Sequence, residues 1–99
     1  IPQTIESAGK KCSTRQLDKQ QYHEALLQKM QEEMLEVSQA TSAEERIEEL
    51  ADVMECLHAF MDLHQISEAS VTAIQKKKAE QRGGFKQRIW LEEVYDETD

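Results

Sequence analysis

From Tyr22 to Leu63 the apolar residues return every three or four positions, with one polar interruption near Thr41-Ser42. That is the period of a helix rather than the strict alternation of a strand. At about 100° per residue, Tyr22, Leu26, Met30, Met34 and Val37 fall within one arc of a first helix. Ile47, Leu50, Val53, Met54, Leu57, Phe60 and Met61 make an apolar face on a second. Asp18 is a good N-cap with Gln21 three residues on, and Leu17 and Tyr22 stand at the hydrophobic-staple positions, so the first helix runs from there to about Ala40. Ser42 with Glu45 opens the second, which continues to about Leu63. A third helix starts at Ser67, with Ile66 stapling to Val71, and stops at Gly83-Gly84. The expectation is an all-α chain: a helical hairpin plus a third helix.

The ends are less regular. Residues 1–17 read as an N-terminal arm, with room for a short helix over Thr4 to Ala8, and Lys10, Lys11 and Arg15 as solvated surface. The stretch Phe85 to Tyr95 mixes patterns and reads as a short helix or an extended arm. Phe85 and Trp90 suit either a stacked nucleobase or a core or subunit contact, and residues 96–99 form an acidic tail with nothing to bury. Leu27 and Leu35 lie outside the main arc of the first helix, and few aromatics are available to build a core. Association as a four-helix-bundle-type homodimer or homotetramer is the expected remedy.

Size and charge narrow the classes. Ninety-nine residues without a second composition regime fit one domain, 1–99. A formal charge of -8 argues against nucleic acid or an anionic membrane as partner. No apolar run has transmembrane length and no signal-peptide pattern is present. Cys12 and Cys56 match no zinc or redox spacing and read as reduced thiols of a cytoplasmic protein. The chain opens on Ile rather than Met, which leaves room for a segment upstream.

The chemistry suggested by the pattern is carried by acids. Glu33 points into the apolar arc of the first helix and Glu36 sits at its edge. Glu49 borders the apolar face of the second helix, and Asp52 lies about 60° further round, beside Cys56 and Ala59. Counted outward from the turn at about 1.5 Å per residue, the two i,i+3 pairs differ in height by only about 3 Å, so four carboxylates can converge. Like charges brought together and partly buried resist ionisation, and a hard dication removes both objections. Oxygen-only ligands suit Mg²⁺, with Mn²⁺ as a substitute. With 20 acids in the chain, other pairs arise by chance, and Glu44, Glu45, Glu48 and Glu55 read as solvated. On the third helix Val71, Ile74, Lys78 and Arg82 share a face about 80° wide. Those two cations suit either a bound phosphate or stems that snorkel to water and complement the helix dipole.

Other constellations fail. Glu55-x-x-His58 is half of a di-iron bundle signature without its second half. His23, His58 and His64 fall at no i,i+4 spacing and no Cys pair joins them, which argues against zinc. Gly83-Gly84 follows a helix instead of opening one, so it is no phosphate loop, and no serine or cysteine nucleophile is evident.

Glu32-Glu33-x-x-Glu36, twelve residues, then Glu49-x-x-Asp52 resembles the EExxE…ExxD signature of the all-α nucleoside triphosphate pyrophosphohydrolases, the MazG-like superfamily that includes phosphoribosyl-ATP pyrophosphohydrolase. Ile1-Pro2 with Gly9-Lys10-Lys11, and Lys76-Lys77-Lys78-Ala-Glu-Gln-Arg82-Gly83-Gly84-Phe85-x-x-Arg88 with Leu91-Glu92-Glu93-Val94, are similar to the phosphoribosyl-ATP pyrophosphohydrolase-like branch. Relatives with this pattern carry a short basic and apolar lead before Ile-Pro. The resemblance implies Mg²⁺-dependent cleavage of the α–β phosphate bond of a nucleoside triphosphate to monophosphate and pyrophosphate. In that reading Glu33, Glu36, Glu49 and Asp52 hold metal, Glu32 orients or deprotonates the attacking water with Glu36 able to share the role, and Lys78, Arg82 and Arg88 meet substrate phosphates. It also implies dimers or tetramers. Phosphoribosyl-ATP hydrolysis in histidine biosynthesis is the alternative activity, and a non-catalytic acidic helical bundle that binds a partner protein is the alternative of a different class.

Overall fold

The computed structural model describes residues 12–96. Three helices follow one another, α1 (Lys19–Gln39), α2 (Ala43–Leu63) and α3 (Glu68–Arg82), and no strand occurs among the described residues. The expected short helix at Thr4 to Ala8 and the end of the acidic tail lie outside them. The chain divides into two compact units, Ile1–Gln65 with α1 and α2, and Ile66–Asp99 with α3.

Each helix starts where its cap dictates. The Asp18 carboxylate accepts from the Gln21 N–H at 2.8 Å while the Asp18 N–H donates to Gln21 Oε1 at 3.1 Å, a complete capping box. At α2 the Ser42 hydroxyl accepts from the Glu45 N–H, but the Glu45 carboxylate reaches one residue further back and accepts from the Thr41 N–H. Ser67 caps α3 through the Ser70 N–H, and Gly83 ends it at φ 79° and ψ 155°, a conformation open to glycine and strained for any other residue.

Ala40 to Ser42 reverse the chain, so α1 and α2 run antiparallel. From α1, Leu26 and Glu33 are buried, with His23, Met30 and Val37 half-buried beside them. From α2, Cys56 is buried, with Glu49, Val53, Ala59 and Phe60 half-buried. The open end carries a cross-hairpin pair: His23 Nδ1 lies 2.8 Å from His64 Nε2, one ring donating and the other accepting, with Phe60 against both rings.

Only part of the expected apolar face of α2 turns inward. Val53, Phe60 and Met61 are half-buried, while Ile47, Leu50, Met54 and Leu57 are between 45% and 68% exposed. The side that meets α1 instead carries the short side chains Cys56 and Ala59, which permit close approach. On α1, Tyr22, Leu27, Met34 and Leu35 are likewise exposed.

In the second unit α3 has no buried residue. Phe85 to Arg88 form a single turn closed by the Arg88 N–H on the Phe85 carbonyl at 3.0 Å, with Arg88 at φ 59°. Residues 89–96 adopt no regular structure, so the short-helix alternative for this stretch is not realised.

Candidate metal centre

Glu33 and Glu36 come from α1, Glu49 and Asp52 from α2, and the antiparallel register brings the two pairs to the same height. Each offers one carboxylate oxygen to a set lying within 4.8 Å of one another, the one such grouping among the described residues. Opposite ligands of a Mg²⁺ ion at 2.0–2.1 Å stand about 4 Å apart, so side-chain adjustments of about 1 Å close the set around a cation.

Burial divides the four. Glu33 retains only 4% exposure, Glu49 is half-buried, and Glu36 and Asp52 reach solvent. The Oε2 atoms of Glu33 and Glu49, on opposite helices, are both shielded from water and hydrogen-bonded to nothing. A shielded carboxylate oxygen without a donor is costly, and one on each of two clustered acids calls for a cation or a proton.

The charge pattern agrees. The Glu49 carboxyl is pushed up from its ordinary 4.5 to about 7, first by a hydrogen bond with Glu36, then by removal from water and by the charges of Glu36, Asp52 and Glu33. Close to neutrality the metal-free cluster therefore holds a proton in the place of part of a dication's charge. Lys29 supplies a second positive group: its Nζ lies 3.1 Å from Glu33 Oε1 and 3.6 Å from Glu32 Oε2. Its hydrogen bond to Glu33 holds the ammonium above its ordinary range. Cys56, facing the same interior, has its thiol raised by burial and then by the charge of Glu33. An all-oxygen donor set with two unsatisfied shielded atoms fits a divalent cation, with Glu33, Glu36, Glu49 and Asp52 as its ligands.

Glu32 stands outside this set. It is exposed, accepts from Gln28 Nε2 at 3.4 Å and leans toward Lys29. Lys78, Arg82 and Arg88 belong to the C-terminal unit, where all three are exposed, the first two on α3 and the third in the turn after it. Glu44, Glu45, Glu48 and Glu55 are exposed, and Glu45 serves the cap of α2. A shallow concavity lined by Glu36, Gln39, Ala40, Glu45 and Glu49 opens beside the cluster.

Two features escape a reading by motif. Lys29 precedes Glu33 by four residues, a spacing that pairs side chains on a helix, so the signal was present in the sequence. The His23–His64 pair joins residues 41 positions apart and follows only from the hairpin register. Compared with family models, with curated proteins and with solved structures, the chain matches none of them.

Proposed function

We propose that this protein is a Mg²⁺-dependent nucleotide pyrophosphohydrolase that cleaves the α–β phosphate bond of a nucleoside triphosphate. The observation that carries the reading is the convergence of Glu33, Glu36, Glu49 and Asp52, with two shielded oxygens left for a cation. The motif spacing these acids share with the MazG-like pyrophosphohydrolases supplies the reaction class. Bound Mg²⁺ supplies charge for phosphate oxygens and for the negative charge that shifts as the bond breaks.

The residues divide the remaining work. Glu33 and Glu49 hold the inner, water-poor side of the site, and Glu36 and Asp52 hold the side open to substrate. Water forms the new bond to phosphorus as the α–β bridging bond breaks, leaving monophosphate and pyrophosphate. Its proton passes to a carboxylate, for which exposed Glu32 and Glu36 are the candidates. Lys78, Arg82 and Arg88 are the proposed phosphate contacts. A second copy of the chain is proposed to cover the exposed apolar residues of α1 and α2.

The test is pyrophosphate release from a panel of ordinary and modified nucleoside triphosphates and phosphoribosyl-ATP, with Mg²⁺ and with chelator. Metal-dependent release that Glu33→Gln lowers by at least 100-fold is expected. A folded protein that binds Mg²⁺ and releases nothing from the panel would overturn the proposed activity. A preference for phosphoribosyl-ATP would assign the alternative substrate.

A further inference from the structure

We infer that Lys29 is a positioning residue for the metal centre, gripping one oxygen of Glu33 and thereby holding the shielded, unpartnered one in place for a cation. The inference rests on the metal-binding reading of the cluster. The two oxygens of Glu33 have different surroundings: Oε1 meets Lys29 Nζ at 3.1 Å, while Oε2 is shielded and without a partner. A carboxylate held at one oxygen has its plane fixed, and the direction of its second oxygen with it. Lys29 reaches Glu33 because i,i+4 side chains on α1 lie one above the other, and its own side chain is 55% exposed. The ammonium thus stays hydrated while it orders a buried ligand, and replacing it does not hollow out the interior.

The sign of the effect separates this role from the obvious alternative. A cation that merely lies near the site repels an incoming dication, so its removal tightens metal binding. A residue that orients a ligand weakens metal binding when removed, by 10- to 100-fold for groups of this kind.

The experiment measures Mn²⁺ affinity from the electron paramagnetic resonance signal of the free ion, and Mg²⁺ affinity by calorimetry. It uses the full chain and its Lys29→Met, Lys29→Arg and Lys29→Gln variants, with helix content checked by circular dichroism. The expected result is a 10- to 100-fold weaker affinity for Lys29→Met. Lys29→Arg recovers most of the loss, and Lys29→Gln, which keeps a donor for Oε1 without the charge, recovers part of it. Equal or tighter binding by Lys29→Met, or equal affinities for the Met and Gln variants, would overturn the positioning role and leave the metal site standing. Failure of the unaltered protein to bind Mn²⁺ would remove both.

Discussion

Glu49 keeps its proton to about pH 7 in the folded hairpin, whereas a carboxyl of ordinary surroundings releases it near 4.5. Between those values the native state binds more protons than the unfolded chain. Its stabilising contribution is therefore full at the acid end and is lost as pH rises through about 7. The melting temperature of the metal-free protein should accordingly fall from pH 5 to pH 7.5, and Glu49→Gln should flatten that slope. Metal must displace the same proton, so Mg²⁺ binding at pH 6 should release protons and binding at pH 8 should release few, which calorimetry in buffers of different ionisation enthalpy reads directly. The clustering of acids was legible in the sequence because helical spacing alone placed Glu33 in an apolar arc, where an unpaired carboxylate is unusual. How Glu33 is balanced was not legible from that arc, since Lys29 lies outside it and looks like any surface lysine until its nitrogen is located.

Helix starts proved the most readable feature of the elements, because a cap is settled within three residues of chain. Asp18, Ser42 and Ser67 each cap the helix that follows. Ser42→Ala should cost about 1 kcal/mol, seen as a lower urea midpoint at unchanged slope. Since α2 carries two of the four clustered acids, saturating Mg²⁺ should raise the stability of this variant and of the unaltered protein alike. The packed side of α2 was only half readable. Hydrophobic periodicity marks a face through Leu50, Met54 and Leu57, yet the short connection at Ala40 to Ser42 and the small residues Cys56 and Ala59 turn the Glu49–Val53–Cys56 side inward. Periodicity shows which residues avoid water; it does not say which neighbour covers them. The stretch after Gly84 escaped assignment for a related reason, as its apolar residues have no consistent period and remain exposed.

The described part of the whole molecule has a very small interior, with Leu26 and Cys56 as its buried apolar residues. Helical rotation places exposed Leu27 and Met34 of α1 and Leu50 and Leu57 of α2 about 90–120° from the buried residues of their helices, with Met54 and Ile47 about 160–180° from Cys56. The rotation has the same sense on both antiparallel helices, so Leu27, Met34, Leu50 and Leu57 form a stripe on one side of the hairpin, which Met54 and Ile47 extend round the back of α2. At about half exposure they offer on the order of 500 Å² per chain, the apolar centre of an interface whose usual size is about 800 Å² per partner. The solvent-reaching acids Glu36 and Asp52 of the cluster rotate to the other side, so the proposed second copy leaves the cluster accessible. Sedimentation or light scattering should report a dimer at micromolar concentration, and Leu57→Asp should shift it toward monomer while Mg²⁺ affinity changes by less than about threefold. A monomer in the unaltered protein at the highest accessible concentration would dismiss the stripe as an interface.

The buried thiol gives this molecule a clock of its own. Cys12 is exposed and Cys56 is shut between the helices with its ionisation suppressed, so an alkylating reagent meets two cysteines of very different availability. Cys12 should be modified at the rate of a free thiol, whereas Cys56 should wait for the helices to part, and its slow phase then measures how often they do. A cation that ties α1 to α2 should lengthen that wait by a factor of one plus the ratio of free cation concentration to Kd, so two mass shifts followed over time would record metal binding with no nucleotide present.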